Sequence, residues 1–570
     1  MTRLKIDPSS DDFESHRLEG LFYIDKTEMI YDYFEKHYSK RILFTRPRRF
    51  GKTMIMTMFR DFLDIRQDSR KLFEGLDIMK HPKTVEEHMN SHPVIFLSLK
   101  EAKGNNWEEA QDELRTTLAS LFESFHELRE SKKISDSERL RYIKVCNQEI
   151  NLANIKTALK SLSTMLYKHY DKNVFVIVDE YDVPMANAYG KPCYNQVVDM
   201  VQSMLSNVGK TNKEVAALIM SGCLHTVMNS GYTGFNNIIA YSVLSYAYSG
   251  YFGFREEDVA KILAAAGMEE KAAVIKEWYN GYVFGETHIY NPWDVMKYVN
   301  EISNDERRRK KPGKYWVNTS ESRLDLIHGF IGKTPDALES FGRLLSGEAV
   351  EKKINEDLPY HMLHASRDNL WTGLLETGYL TKATEEDGDI LPLRIPNKEI
   401  IEVFKQEVWD FFSTNVKNVF LEEFMNALWH DNVEGATGAL NQIMEAVISS
   451  YQAYKEYVYQ YTLVGLFTGM GLRVRTEYES GYGRSDVVVE DAPRKRALVL
   501  ELKQVEKEEK LDNGLTEACD QTLANKYESS LVYDGYTEIH KYGMSFWNKR
   551  CRILTICASE CSQCNVQELP

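Results

Sequence analysis

Apolar residues in the N-terminal half alternate between short continuous runs and stretches with helical periodicity. The runs 41–45, 94–99 and 216–220 each predict a buried strand. The run 174–178 is apolar at every position, which is typical of a central parallel strand covered on both faces. Between these runs, apolar residues recur at helical spacing, as they do over 114–125. Strands that alternate with helices predict an α/β domain built on a parallel sheet.

The C-terminal half follows a different order of elements. Over 324–432 the spacing of hydrophobic residues is helical, which predicts a helical middle region. After a further helix near Leu463, the segments 472–477, 485–489 and 497–503 predict three strands joined by turns that contain glycine and proline. Three strands in succession, with a helix after them, predict a second and smaller α/β domain.

The composition restricts the class of protein. With 570 residues the chain is too long for one hydrophobic core, which favours roughly two to four domains. Its 43% hydrophobic and 27% charged residues are the ordinary balance of a soluble globular protein. The net charge of −15 argues against broad adhesion to nucleic acid, but a local basic groove is compatible with it. The basic run 307–311 could contact a phosphate backbone, or it could form a solvated loop.

Targeting signals and cysteines bear on the compartment. The first eight residues contain no apolar core of a signal peptide, and no apolar run is long enough to span a membrane. The eight cysteines are scattered, so we expect a reducing compartment and a cytoplasmic protein. Three of them, Cys557, Cys561 and Cys564, cluster near the C-terminus. They could bind zinc with a fourth ligand, and a loose terminus is the alternative.

The segment after the first predicted strand has the order of a phosphate-binding loop that leads into a helix. Gly51 would let the backbone approach a phosphate, Lys52 would contact the β- and γ-phosphates, and Thr53 would bind Mg²⁺. Arg46 stands where the usual Walker A motif has its first glycine, and Pro47 removes one amide donor. The nucleotide-binding residues predicted here are Arg46, Pro47, Arg48, Arg49, Phe50, Gly51, Lys52 and Thr53.

Two acids follow the apolar run 174–178, which is the form of a Walker B motif. Ligands of open α/β sheets bind at the carboxyl ends of the strands, so Asp179 and Glu180 would lie beside the loop. Asp179 could hold Mg²⁺, and Glu180 could act as the general base for the attacking water. The strand 216–220 ends at Ser221, where a residue that senses the γ-phosphate would lie; a buried strand with a turn after it is the alternative.

Charged residues interrupt the last predicted strand of the C-terminal domain. Side chains alternate along a strand, so Glu501 and Lys503 share one face, and a hairpin would bring Asp486 beside them. Two carboxylates suit Mg²⁺ or Mn²⁺, and Lys503 could orient a water nucleophile and stabilise the negative charge that develops. A cross-strand ion pair without catalysis is the alternative interpretation.

The two groups of motifs together resemble the AAA-ATPase-like proteins that carry a C-terminal PD-(D/E)XK nuclease domain. The resemblance covers nearly the whole chain and implies that the loop 46–53 is this family's own form of Walker A. Some landmarks, such as Asn291 before Pro292, also have a plain structural explanation as a helix start. The further landmarks are the segments 23–27, 179–184, 251–254, 278–285, 289–293 and 316–320.

For the C-terminal domain the resemblance implies a set of functional residues. Asp486, Glu501 and Lys503 would form the PD-(D/E)XK core, and Gln521 with Tyr527 would match the accompanying Gln-plus-Tyr pattern. A Gln on the surface of a helix is the alternative for Gln521. Glu456 could add to the metal site, or it could be a solvent-exposed side chain. The resemblance also implies that cleavage leaves a 5′-phosphate and a 3′-hydroxyl.

These observations lead to one prediction of architecture. The fold class is α/β: an N-terminal P-loop NTPase sheet of the ASCE/AAA-like type, a helical middle region and a C-terminal restriction-endonuclease-like α/β domain. We place the ATPase-like domain at 1–300, the helical region at 301–440 and the nuclease-like domain at 441–570.

The predicted function follows from the two sites. We expect an enzyme that binds and hydrolyses ATP and thereby regulates a Mg²⁺- or Mn²⁺-dependent nuclease acting on nucleic acid, with DNA favoured over RNA. A nucleotide-dependent switch or scaffold, whose nuclease fold binds DNA or protein without cleaving it, is the main alternative, and a DNA translocase is a third. We expect no membrane partner, and a homo-oligomer is compatible with the sequence.

Overall fold

The computed structural model describes residues 4–210, 212–224, 238–304, 312–316, 335–356, 358, 362, 366–385, 388–447, 456–480, 483–525 and 528–556. Within these ranges, no helix combines the length and the apolar character that crossing a membrane requires. Several positions singled out above lie outside the described residues: 307–311, 317–320, Tyr527, Cys557, Cys561 and Cys564.

Helices and strands are numbered here in chain order. The helices are α1 Phe13–Leu18, α2 Glu28–Glu35, α3 Lys52–Leu63, α4 Arg70–Phe73, α5 Pro82–His88, α6 Trp107–Glu123, α7 Asp136–Cys146, α8 Leu152–Tyr170, α9 Val183–Ala188, α10 Tyr194–Gly209, α11 Glu256–Ala266, α12 Ala272–Tyr279, α13 Pro292–Asn304, α14 Pro335–Leu345, α15 Arg367–Thr377, α16 Lys398–Asn415, α17 Asn418–Trp429, α18 Val433–Val447, α19 Glu456–Gly469, α20 Leu511–Asn525 and α21 Ser529–Tyr533. The strands are β1 Arg41–Thr45, β2 Val94–Ser98, β3 Val174–Asp179, β4 Val215–Gly222, β5 Ile239–Tyr241, β6 Tyr282–Phe284, β7 Thr287–Ile289, β8 Val350–Lys353, β9 Thr381–Lys382, β10 Ile390–Arg394, β11 Arg473–Ser480, β12 Gly483–Asp491, β13 Arg496–Gln504, β14 Glu538–Trp547 and β15 Arg550–Thr555.

The chain divides into two compact units. Residues 1–320 and 351–399 form the first unit, and residues 321–350 and 400–570 form the second. These units are defined by compactness and differ from the domains predicted above, so the domain boundaries at 300 and 440 stay a prediction.

A five-stranded parallel sheet forms the centre of the first unit, in the order β2-β3-β4-β1-β5. One strand, β4, therefore separates the P-loop strand β1 from the Walker B strand β3. This order confirms the predicted ASCE/AAA-like fold. The register sets Thr45 opposite Gly222 and Ser98 opposite Asp179, so the carboxyl ends of strands β1 to β4 lie along one edge.

Alternation along the strands supplies a hydrophobic core on each face of this sheet. Val176 and Val178 of β3 belong to the core that α6, α7, α8 and α10 cover. Phe175 and Ile177 point to the opposite face and join the core that contains α2 and α3. The apolar run thus has no polar face because both of its faces are buried.

The rest of the first unit lies further along the chain. The hairpin β6–β7 follows α12, and α13 follows the hairpin. A three-stranded sheet has the order β8-β10-β9. In the sequence, α15 lies between β8 and β9, and α16 follows β10. The helical middle region is confirmed, but these three short strands were not predicted, because each spans only two to five residues.

The second unit is built on the five-stranded sheet β11-β12-β13-β14-β15. Strands β11, β12 and β13 are antiparallel neighbours, whereas β14 is parallel to β13. The parallel connection requires a crossover, and α20 provides it. Tyr459 of α19 stacks on Phe546, while Ala518 of α20 packs against Gly543 on the opposite face of β14. Helices on both faces of this sheet confirm the predicted restriction-endonuclease-like fold.

Candidate functional site

The Walker B acid lies between two hydroxyl groups at the carboxyl edge of the parallel sheet. Thr53 Oγ1, in the first turn of α3, donates a hydrogen bond of 2.7 Å to Asp179 Oδ2. Ser221 Oγ, near the end of β4, donates to Asp179 Oδ1. Asp179 is only 1% exposed. The structure therefore brings together the threonine and the aspartate that were predicted to hold Mg²⁺, and both supply the oxygen ligands that this ion prefers.

Lys52 points its ammonium group back into the P-loop. Its Nζ donates to the carbonyl oxygens of Arg46 at 3.0 Å and Pro47 at 2.9 Å, and lies 3.6 Å from the Sγ of Cys223. The side chain is buried, and these three partners carry no negative charge. A buried ammonium with neutral partners attracts an anion, which is the property that a phosphate-binding loop requires.

Glu180 follows the last residue of β3 in a strained backbone conformation. Its φ angle is 52°, in the left-handed region that residues other than glycine rarely adopt. Burial, as the largest influence, raises the pKa of Glu180 above its usual value, the Lys52 charge lowers it, and the Asp179 charge raises it. A half-buried carboxylate with a raised pKa beside the P-loop lysine suits the general base that was predicted at this position.

Arg46 fills the position of the missing first glycine and is fully buried. Its backbone N–H donates to Gly222 O at 3.1 Å, and its Nη1 donates to the carbonyl oxygens of Thr45 and Tyr241, both at 2.7 Å. The guanidinium lies over the rings of Phe252 at 4.9 Å and Phe284 at 5.3 Å. Burial lowers the pKa of Arg46 to about 9. The side chain therefore anchors the start of the loop and does not face a ligand.

The next four residues of the loop are also held by residues from later in the chain. A Cβ atom on Gly378 would lie 2.9 Å from Pro47, and the Trp316 indole N–H donates to Arg48 O at 3.0 Å. The Arg49 guanidinium lies 4.1 Å from the centre of the Trp293 ring. Phe50 contacts the rings of Tyr282 and Phe284. Every residue from Arg46 to Phe50 thus has a partner among residues 241–378.

These supports explain how a loop with so few glycines can keep one shape, and sequence reasoning missed them. They come mainly from the segments 251–254, 278–285 and 289–293 and from Trp316, which in the sequence are only landmarks of the resemblance. The available signal was their aromatic content: an exposed tryptophan or phenylalanine is uncommon, so each one needs a surface to cover.

In the second unit, the three residues of the predicted nuclease core meet at the junction of β12 and β13. Asp486 Oδ2 accepts a hydrogen bond of 2.7 Å from the Leu502 N–H, while Gln460 Nε2 donates to Asp486 O at 2.9 Å. Lys503 Nζ donates to Glu501 Oε1 at 3.0 Å. The register, with Val487 opposite Leu500, places Asp486 across from Glu501. The hairpin therefore brings Asp486 beside Glu501, as predicted from the sequence.

Electrostatics distinguish the Glu501 carboxylate from its neighbours. The side chain is fully buried, and its Oε2 has no hydrogen-bond partner among the described residues. Burial, followed by the charge of Asp486, raises the pKa of Glu501 to about 7, although the Lys503 ammonium lowers it. A buried carboxylate oxygen without a partner beside a second carboxylate fits a divalent cation, because such a cation would satisfy both charges.

Glu456 and Gln521 were also predicted for this site. Glu456 is exposed and accepts a hydrogen bond of 3.2 Å from the Gln504 N–H. Gln521 lies on α20 and is partly buried, so its role stays a prediction. Among the described residues no group of three or more His, Cys, Asp or Glu side chains is arranged to hold a metal ion. A cation bound by Asp486 and Glu501 would therefore complete its shell with water and a phosphate oxygen.

The two folds and their sites define a P-loop NTPase unit and a nuclease-like unit within one chain. Residues 9–231 match the family model described as Predicted AAA-ATPase, and residues 454–556 match the PD-(D/E)XK nuclease superfamily model. The chain therefore combines an AAA-ATPase-like domain with a PD-(D/E)XK nuclease superfamily domain, as the resemblance implied.

One curated relative is similar to this chain over most of its length. An uncharacterized protein in the vnfD 5′ region of Azotobacter chroococcum mcd 1 is 24% identical over 490 residues. The similarity covers 83% of this chain and 84% of that protein.

Proposed function

We propose that this chain is an ATP-hydrolysing regulator joined to a divalent-metal-dependent nuclease that cleaves DNA. The observation that carries the nuclease half is the placement of Asp486 beside Glu501 and Lys503 at the junction of β12 and β13: Asp486 accepts from the Leu502 N–H, and Lys503 donates to Glu501. A degenerate nuclease fold has no reason to retain a fully buried carboxylate beside a second carboxylate, because burying unused charge costs stability. Asp486, Glu501 and Lys503 are also the side chains that metal-dependent phosphodiester cleavage needs, two carboxylates and a lysine.

In the ATPase half, Lys52 binds the β- and γ-phosphates, and Thr53 and Asp179 are the residues that would hold Mg²⁺, whose chemistry is to neutralise charge on the phosphates. Glu180 orients a water molecule and takes its proton. The water oxygen bonds to the γ-phosphorus, the bond to the β,γ-bridging oxygen breaks, and ADP and phosphate leave. The contact between Thr53 Oγ1 and Asp179 Oδ2 supports these roles, because it sets both oxygens within reach of one ion.

In the nuclease half, Asp486 and Glu501 are the residues that would hold Mg²⁺ or Mn²⁺, whose chemistry is to polarise the phosphate and acidify water. Lys503 orients the attacking water and stabilises the charge on the phosphate oxygens. The water oxygen bonds to phosphorus as the bond to the 3′-oxygen breaks. The products are a 5′-phosphate and a 3′-hydroxyl, and the departing 3′-oxygen takes up a proton.

The first experiment incubates the full chain with single- and double-stranded DNA and Mg²⁺ or Mn²⁺, with and without ATP. We expect cleavage that EDTA abolishes, and a loss of at least about 100-fold in Glu501→Gln, which removes one charge from the metal site. Glu517→Gln is the matched control, because Glu517 is an exposed glutamate on α20. Metal-independent cleavage, or cleavage that Glu501→Gln leaves intact, would contradict the assigned roles.

The second experiment tests regulation. Lys52→Ala should abolish ATP hydrolysis and remove the effect of ATP on cleavage, whereas Lys71→Ala, at an exposed lysine of α4, should change neither. If the wild type hydrolyses ATP but leaves every nucleic acid intact, the switch-or-scaffold function replaces the nuclease. RNA substrates in the same assay separate a deoxyribonuclease from a ribonuclease.

A further inference from the structure

The P-loop contains one exposed arginine whose position is unusually well fixed. Arg49 has a φ angle of 68°, in the left-handed region, and it directly precedes Phe50 and the glycine of the Gly-Lys-Thr sequence. Its side chain is exposed, whereas the Arg46 side chain is fully buried. Arg48, between them in the loop, is partly buried, so Arg49 is the most exposed of the three loop arginines.

Arg49 belongs to the group of charges around the predicted general base. Partial burial is the largest influence on the pKa of Arg49 and lowers it, while the charges of Asp11 and then Glu180 raise it. Lys52 and Lys100 in turn act on the carboxylate of Glu180. Asp11 lies within 3.9 Å of Lys100 and acts on the charge of Arg49 as well. Arg49 thus adds a planar cation to the phosphate-binding loop, two residues before Gly51.

The guanidinium of Arg49 is held by a tryptophan whose own position is set by several contacts. Trp293 is the second residue of α13, and its ring centre lies 4.1 Å from the Arg49 guanidinium. Asn291 Oδ1 accepts hydrogen bonds from the N–H groups of Trp293 at 2.9 Å and Asp294 at 3.4 Å. The Asn291 N–H donates to Tyr279 O at 3.1 Å, and Asn291 is fully buried. Trp293 therefore sits on a rigid helix start.

We propose that Arg49 binds the γ-phosphate of ATP in cis, and that Trp293 is the positioning residue that holds its guanidinium ready. The proposal rests on the proposed ATPase function and adds to it the arginine that many ATPases obtain from a neighbouring protein or subunit. An arginine stacked on a ring loses little freedom when it meets a phosphate, so the site is preorganised for the charge that builds up as the γ-phosphate leaves.

The test compares ATP with ADP, because only ATP offers a γ-phosphate. In Arg49→Ala we expect the affinity for ATP to fall by about 10-fold or more while that for ADP changes by less than about 2-fold, and kcat to fall by at least about 100-fold. Arg49→Lys keeps the charge and the loop and should recover part of the ATP affinity. Arg70→Ala, at an exposed arginine of α4, is the matched control.

Trp293 is tested by its coupling to Arg49. Trp293→Ala should lower kcat by about 10-fold, Trp293→Phe should lower it less, and the Arg49→Ala/Trp293→Ala double variant should be no slower than Arg49→Ala alone. Additive losses in the double variant, or equal losses of ATP and ADP affinity in Arg49→Ala, would overturn the proposal, because they indicate damage to the loop. Wild-type ATPase activity that survives in Arg49→Ala would overturn it while the proposed function stands. A wild type that binds neither nucleotide would reject both.

Discussion

Two buried carboxyl groups, Asp294 and Glu399, lie next to a support of the P-loop. Each side chain is 1% exposed, and the Trp316 backbone N–H donates to Glu399 Oε1 at 2.9 Å. Burial, and after it the neighbouring Glu399, raises the pKa of Asp294 well above its ordinary value. Asp294 therefore keeps its proton in the folded protein at pH values at which the unfolded chain has released it.

The replacement Asp294→Asn removes this proton and leaves the shape of the side chain nearly unchanged. Because the folded state of the wild type binds one more proton than the unfolded state, its free energy of unfolding falls by about 1.4 kcal/mol for each pH unit above the unfolded pKa and below the folded one. The variant has no such dependence at this position. Relative to the wild type, Asp294→Asn should thus become more stable as pH rises from 5 to 6.

The first unit contains about 370 residues, which sets the size of the measurable shift. An unfolding entropy near 0.8 kcal/mol/K for a unit of this length converts about 1.4 kcal/mol into about 2 °C of thermal midpoint. Scanning calorimetry of both proteins at pH 5 and 6 would report the change in their difference. Asp389→Asn, at an exposed aspartate of the same unit, is the control and should show no such change. A wild-type-minus-variant difference that is equal at the two pH values would refute the claim that Asp294 keeps its proton in the folded protein.

Three further predictions concern other positions. Gly281→Ala should destabilise the first unit by at least about 2 kcal/mol in thermal unfolding, since φ is 99° and a Cβ would lie 1.8 Å from a backbone oxygen. Burial lowers the pKa of His540, but hydrogen bonds to Glu538 and Asp431 outweigh it and raise that pKa above its usual value. The stability that the protonated His540 contributes is lost when pH rises through the folded pKa. His540→Gln should therefore cost more stability at pH 5.5 than at pH 8.5. Gly438→Ala, at an exposed position in α18 with open space around it, should raise stability by roughly 0.5–1 kcal/mol in the same assay, and a loss there would show that the helix is distorted.

Features that depend on neighbouring residues in the sequence could be predicted well. The strands β1 to β4 each coincide with an apolar run, because a strand buried on both faces needs apolar residues at every position. The approach of Asp486 to Glu501 followed from a short hairpin, in which register depends on the turn and on alternation. Both inferences used segments of fewer than about 20 residues.

Features that join distant parts of the chain could not be predicted from one sequence. The residue types of 278–293 indicate turns and a helix start, but they do not say which surface those elements cover. More than 240 residues separate Arg49 from Trp293, and 268 separate Arg48 from Trp316. The buried carboxyl pair is equally invisible, since Asp294 and Glu399 each look like a polar residue of a helix N-terminus.

The way the P-loop is supported limits what can be removed from this protein. The match to the Predicted AAA-ATPase model ends at residue 231, and a fragment cut there would retain both Walker motifs and strands β1 to β4. It would lack all the partners of Arg46 to Phe50 that lie at 241–378, so its loop would be free to sample many shapes, and ordering it would have to be driven by the nucleotide itself. The shortest fragment of this chain with an ordered P-loop must therefore include Trp293 and Trp316, which follow the sheet, as well as the Walker motifs.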